Sequence, residues 1–163
     1  MSILTQKTIK EKFSINGIGV HTGLKVNLNV LPAPANTGII FKRIDLKDKN
    51  IIEASYKNVT AAKLCTTLEN KEGVKVSTVE HLLAALYIFG IDNAIIEINN
   101  EEVPIMDGSA KDFLALFENA ELRQLSKKRK YLKILDKVEL IEGEKKIEIE
   151  PSETLKVNFQ LNY

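Results

Sequence analysis

The sequence predicts an α+β fold, a two-layer sandwich in which an antiparallel-rich sheet carries two helices on one face. Short segments whose apolar residues alternate with polar ones, such as Val26, Leu28 and Val30 among Lys25, Asn27 and Asn29, predict strands with one wet face. Two segments, 77–90 and 109–122, instead space their apolar residues for helices behind capping signals. The order is strands, helix, strand, helix over residues 1–126, the expected first domain. A linker and the first strands of a similar second domain, cut off, are expected over 127–163.

Composition sets limits on function. With 163 residues and 44% hydrophobic content, the chain can bury one proper core. Lys plus Arg number 23 against 22 Asp plus Glu, which gives no reason to expect nucleic acid as a partner. The single cysteine excludes an intrachain disulfide framework and suits a reducing compartment. The first thirteen residues lack the apolar core of a signal peptide, and no apolar run spans a bilayer, so a cytoplasmic protein that is not integral to a membrane is expected.

Lys7–Ile15 alternates as a strand that the N-G-I-G at 16–19 breaks, and His21-Thr22-Gly23 makes a turn. Pro32, Pro34 and Asn36-Thr37-Gly38 form a loop before a strand at 39–44. Residues 51–60 and 63–68 read as further strands, and Ala94–Ile98 as another. Ser77 with Glu80 three residues on is a capping box, and Gly90 supplies a left-handed stop. On that helix Val79, Leu82, Leu83 and Leu86 form one stripe, and His81, Ala84, Ala85 and Ile88 an opposite, small and apolar one. Ser109 and Asp112 cap a second helix whose stripe is Phe113, Leu116, Phe117 and Ala120, running to about Leu122. Ser126–Lys130 reads as a solvated junction. Beyond it, Leu132, Ile134, Val138–Ile141, Ile147, Ile149 and 155–163 read as strands around a turn at Glu142-Gly143-Glu144.

Glu80 is either half of the helix cap or a carboxylate placed beside an imidazole for chemistry. His81 is either a core histidine or a ligand; the H-E-x-x-H pattern is absent, because position 85 is alanine. His21 reads as a turn residue, Cys65 as an inert strand thiol, and Asp107 as either a structural turn acid or a catalytic one. A metal site within the chain would have to draw on His81, His21, Cys65 and carboxylates, at no diagnostic spacing.

Five blocks in order carry a resemblance: G-I-G-V-H-T-G (17–23), P-A-P-A-N-T-G-I-I-F-K-R-I-D (32–45), T-V-E-H-L-L-A-A-L (78–86), G-I-D-N-A (90–94) and V-P-I-M-D-G-S-A (103–110). Together the chain resembles the bacterial UDP-3-O-acyl-N-acetylglucosamine deacetylases, zinc hydrolases of lipid A (lipopolysaccharide) synthesis. The resemblance implies two similar α+β domains whose helix layers face each other around the site, a UDP-sugar lipid precursor as substrate, and Zn2+ as cofactor. It implies that His81 ligates zinc and that Glu80 is the general base for attack of a metal-activated water on the acetamide. The other ligands, a histidine and an aspartate in H-x-x-x-D, lie in the family's second domain with the histidine acid and the acyl-chain insert. This chain lacks them, so the 163-residue chain alone is expected to be inactive. The resemblance also places Cys65 and His21 near the site, Lys145 on the nucleotide, and Tyr163 at an aromatic position by the uridine, with Asn162 where the family has aspartate. A different class of reading is a non-enzymatic half-fold that pairs with a partner through its helix face.

Overall fold

The structure, a computed structural model, describes residues 4–161. The chain forms two compact units, Met1–Arg129 and Lys130–Tyr163. In chain order the first runs β1 (Thr5–Ile9), β2 (Phe13–Ile18), β3 (Lys25–Pro32), β4 (Ile39–Arg43), β5 (Ile51–Glu53), a 3-10 turn (Tyr56–Asn58), β6 (Val59–Ala61), β7 (Thr67–Glu69) and β8 (Lys75–Val76). It continues with α1 (Glu80–Phe89), β9 (Ala94–Ile98), α2 (Lys111–Asn119) and β10 (Leu122–Lys128).

The main sheet has the order β2-β3-β9-β4-β5, antiparallel at every pair except β4 with β9. Register explains why one face is core. Phe13, Val30, Ile96, Phe41 and Ile52 lie in one row across the five strands, and Ile15, Leu28 and Ile98 in the next. Val30, Ile96, Phe41 and Ile52 are fully buried, whereas Ser14, Asn16 and Asn27 on the alternate positions are exposed. Leu82, Ala85 and Leu86 of α1 and Phe113 and Phe117 of α2 belong to that same core cluster. Phe117 meets Phe13 edge-on at 5.3 Å and Phe89 at 5.9 Å, tying both helices to β2. This is a small α+β domain. Two shorter sheets accompany it, β1-β10 and β6-β7-β8.

Several sequence expectations need correcting. The expected single strand over 7–15 is two, because the chain turns at 10–12, and N-G-I of N-G-I-G lies within β2 rather than ending a strand. Segment 63–66 is not strand, so Cys65 precedes β7. The capping box does not form. Thr78 adopts φ +56, which redirects Ser77 so that its Oγ donates to the Glu101 carbonyl (3.1 Å), and α1 starts at Glu80 without a side-chain cap. Gly90 does end the helix, at φ +68, with its N–H on the Leu86 and Tyr87 carbonyls. Ser109, two residues before Lys111, does accept the Lys111 N–H at the start of α2 (3.1 Å), whereas α2 stops at Asn119 rather than about Leu122. Leu122–Lys128 then forms a strand antiparallel to β1, so Ser126-Lys127-Lys128 is strand rather than linker, with its side chains exposed as expected.

In the second unit, β11 (Val138–Glu142) and β12 (Lys145–Ile149) make a hairpin whose Gly143 takes φ +59. Lys146 bridges Glu139 (3.1 Å) and Glu148 (2.7 Å) across it. The segments around Leu132 and 155–161 are not strands, contrary to their alternation. Alternation favours a pleated, half-buried surface, but a strand also needs a ladder partner, and neither β11 nor β12 pairs with them.

Candidate functional site

Glu80 is the first residue of α1, where a carboxylate is favoured by the helix dipole. Freed from capping, its Oε2 accepts the Thr66 N–H at 3.0 Å. Val79 N–H donates back to the Thr66 carbonyl, so the loop before β7 is clamped onto the start of the helix. This clamp brings Cys65, the residue before Thr66, to the same place; its Sγ lies 3.8 Å from Thr67 Oγ1. Glu80 Oε1 makes no hydrogen bond within the described residues. His81 beside it is half-buried, and Ala84, Tyr87 and Ile88 further along are exposed, the last two at 74% and 64%. Ala85, expected on this outward face, is instead buried in the core.

His21 arrives by a route the sequence did not disclose. Glu102 is fully buried and grips the turn after β2. Its Oε1 accepts His21 N–H (3.0 Å) and the Thr78 hydroxyl (3.0 Å), and its Oε2 accepts Thr22 N–H (2.8 Å). Burial alone would push this carboxyl up; the donors from His21, Thr22 and Thr78 outweigh it and hold the group below the usual range. Gly19 is required here, since a Cβ at that position would lie 2.3 Å from Glu102 Oε2. Residue 102 carried no usable signal: an acid in N-N-E-E reads as a solvent-facing turn. The V-P-I-M-D block joins the same corner. Ile105 N–H donates to the Ile18 carbonyl (3.0 Å), and Pro104 and Met106 pack against Gly17.

Three of the five motif blocks thus meet at the start of α1. The other two do something else. Asn93, fully buried in G-I-D-N-A, donates to Gln6 Oε1 (3.0 Å) and accepts Gly38 N–H (3.0 Å) from the P-A-P-A-N-T-G block. Gln6 also pairs reciprocally with Asn36. Thr8 Oγ1 donates to the Asn93 carbonyl (2.7 Å) and accepts Ala33 N–H. This satisfied network holds the loop after β3 to β1 and to the start of β9.

The family model described as UDP-3-O-acyl N-acetylglycosamine deacetylase (LpxC) matches residues 6–163. The chain belongs to this family. Two relatives, each named UDP-3-O-acyl-N-acetylglucosamine deacetylase, come from Shewanella oneidensis (42% identical over 161 residues) and Idiomarina loihiensis (44% over 161). Each match covers 99% of this chain and 53% of the relative, so the chain spans about half the length of the curated relatives it matches.

Within this LpxC-family chain, the remaining residues weighed for the site are a turn acid, a second-unit lysine and two residues outside those described. Asp107 accepts Ser109 N–H (2.9 Å) and its hydroxyl (2.8 Å), the bonds of a turn acid. Those bonds hold its carboxyl below the ordinary value. Lys145 opens β12 in the second unit and is exposed. Asn162 and Tyr163 lie outside the described residues. Among the described residues, no group of three or more His, Cys, Asp or Glu is gathered to hold a metal ion. His81 therefore fits a metal site only as one contributor to it. No described helix is long and apolar enough to cross a membrane, which leaves β-barrels unaddressed.

Proposed function

We propose that this chain supplies Glu80 and His81 to a cytoplasmic, zinc-dependent deacetylase that removes the N-acetyl group of UDP-3-O-acyl-N-acetylglucosamine in lipid A synthesis. The observation that carries the reading is the state of Glu80: it does not cap the helix, one oxygen is anchored to Thr66, and the other is unengaged beside His81. Family membership supports the substrate and the reaction. Zinc, held by His81 with ligands from outside the described residues, would polarise the acetamide carbonyl and acidify a water. Glu80 takes a proton on Oε1 while the Thr66 N–H fixes the carboxylate's angle. The exposed Ala84, Tyr87 and Ile88 leave an open, largely apolar surface beside His81 for the substrate side of the site. Lys145, Asn162 and Tyr163 are the proposed nucleotide contacts, with Cys65 and His21 close to the metal.

The test is acetate release from UDP-3-O-acyl-N-acetylglucosamine by the complete protein. Acetate and free 2-amino sugar should appear in equal amounts, stop on chelation and resume with zinc. No acetate at saturating substrate with zinc supplied would reject the reading.

A further inference from the structure

We infer that Glu102 is a positioning residue, a buried carboxylate that joins the His21 turn to the bend at Thr78 and so fixes where Glu80 and His81 sit. The inference rests on the deacetylase reading for its catalytic consequence and on geometry for the rest.

Thr78 is β-branched yet held at φ +56, a conformation that such residues rarely adopt without external support. Its hydroxyl bond to Glu102 Oε1 at 3.0 Å is that support, and both groups are buried. Two residues later the chain reaches Glu80, so a relaxation at Thr78 would swing the first turn of α1 away from Thr66. The same oxygen accepts His21 N–H, and its partner oxygen accepts Thr22 N–H. No lysine or arginine shares the site; every donor is neutral. An acid is needed because donors approach both oxygens. An amide in its place would turn an NH2 toward one of them and leave that donor unpaired. The two histidine-bearing segments are therefore set by one side chain, and a disturbance at either end reaches the other.

The experiment uses the complete enzyme with Glu102→Gln, and with Thr78→Ala beside Thr78→Ser, a pair that differs only in the hydroxyl. Glu102→Gln should lower kcat about 10- to 100-fold, with KM held within about threefold. Amide exchange at His21, Thr22, Thr66 and Leu83, whose N–H groups bond Glu102, Glu80 and Val79, should accelerate together by about tenfold or more, while amides of β3 and β9 keep their protection. Thr78→Ser should behave as wild type and Thr78→Ala as Glu102→Gln. Wild-type kcat in a folded Glu102→Gln protein would overturn the inference, as would acceleration at His21 and Thr22 without Thr66 and Leu83. Equal behaviour of the two Thr78 variants would also overturn it, and those variants decide the matter if Glu102→Gln does not fold. If the wild-type enzyme releases no acetate, the deacetylase reading fails on its own, and the exchange pattern still decides the coupling.

Discussion

Glu80 and Glu102 are acids with only neutral hydrogen-bond donors, and burial separates their roles. Glu80 is half-buried with one oxygen anchored to Thr66 N–H and no hydrogen bond to the other among the described residues. Glu102 is fully buried with both oxygens occupied, the state of a fixed anchor. That difference has a pH consequence. The folded-state carboxyl of Glu102 is held below its ordinary value of 4.5, so the unfolded chain binds its proton more readily. The stability it contributes is fully present above about pH 4.5 and is lost as pH falls through the depressed folded value. Denaturant unfolding of wild type and Glu102→Gln as a function of pH should show the two curves converging on acidification below that point. A constant separation from neutral pH down through the acid range would show that Glu102 does not titrate with folding.

At the scale of elements, the five motif blocks divide into two physical jobs. Blocks at 17–23, 78–86 and 103–110 converge on the start of α1, whereas those at 32–45 and 90–94 meet in the buried amide network around Asn93. Asn93→Ala removes the acceptor of Gly38 N–H and the donor to Gln6, with a cost of about 1–3 kcal/mol for each group left unpaired. The expected result is a lowered melting temperature with kcat unchanged at a permissive temperature. A fall in kcat without loss of stability would place Asn93 at the site. What was legible in the sequence follows the same physics. Strands β3 and β9 and the apolar stripe of α2 could be read because periodicity reports burial directly. The Gly90 stop could be read too, but the failure of the Ser77 cap could not, because the φ +56 bend at Thr78 bonds Glu102, 24 residues away. Strand β10 was masked by its basic residues. Its two-stranded sheet with β1 leaves those side chains in water while the backbone is paired, and Arg129 just beyond closes on Asp92 at 2.7 Å.

In the molecule as a whole, the first unit owns a complete core, while β11 and β12 of the second leave every residue exposed. Alternation in 138–161 showed that an apolar face exists but not which strands would pair, since pairing depends on partners a local pattern does not name. The Ser77–Glu80 spacing points to a cap that does not form, since Ser77 Oγ bonds the Glu101 carbonyl and Glu80 the Thr66 N–H. The role of Glu80 and His81 is the centre of the account, and the complete protein tests it most directly by metal content and turnover measured on the same samples. Glu80→Gln should keep its zinc and lose about 100-fold or more in kcat, whereas His81→Ala should lose the zinc and the turnover together. Wild-type turnover in Glu80→Gln, or full zinc retention in His81→Ala, would contradict the assignment of base and ligand to these two residues.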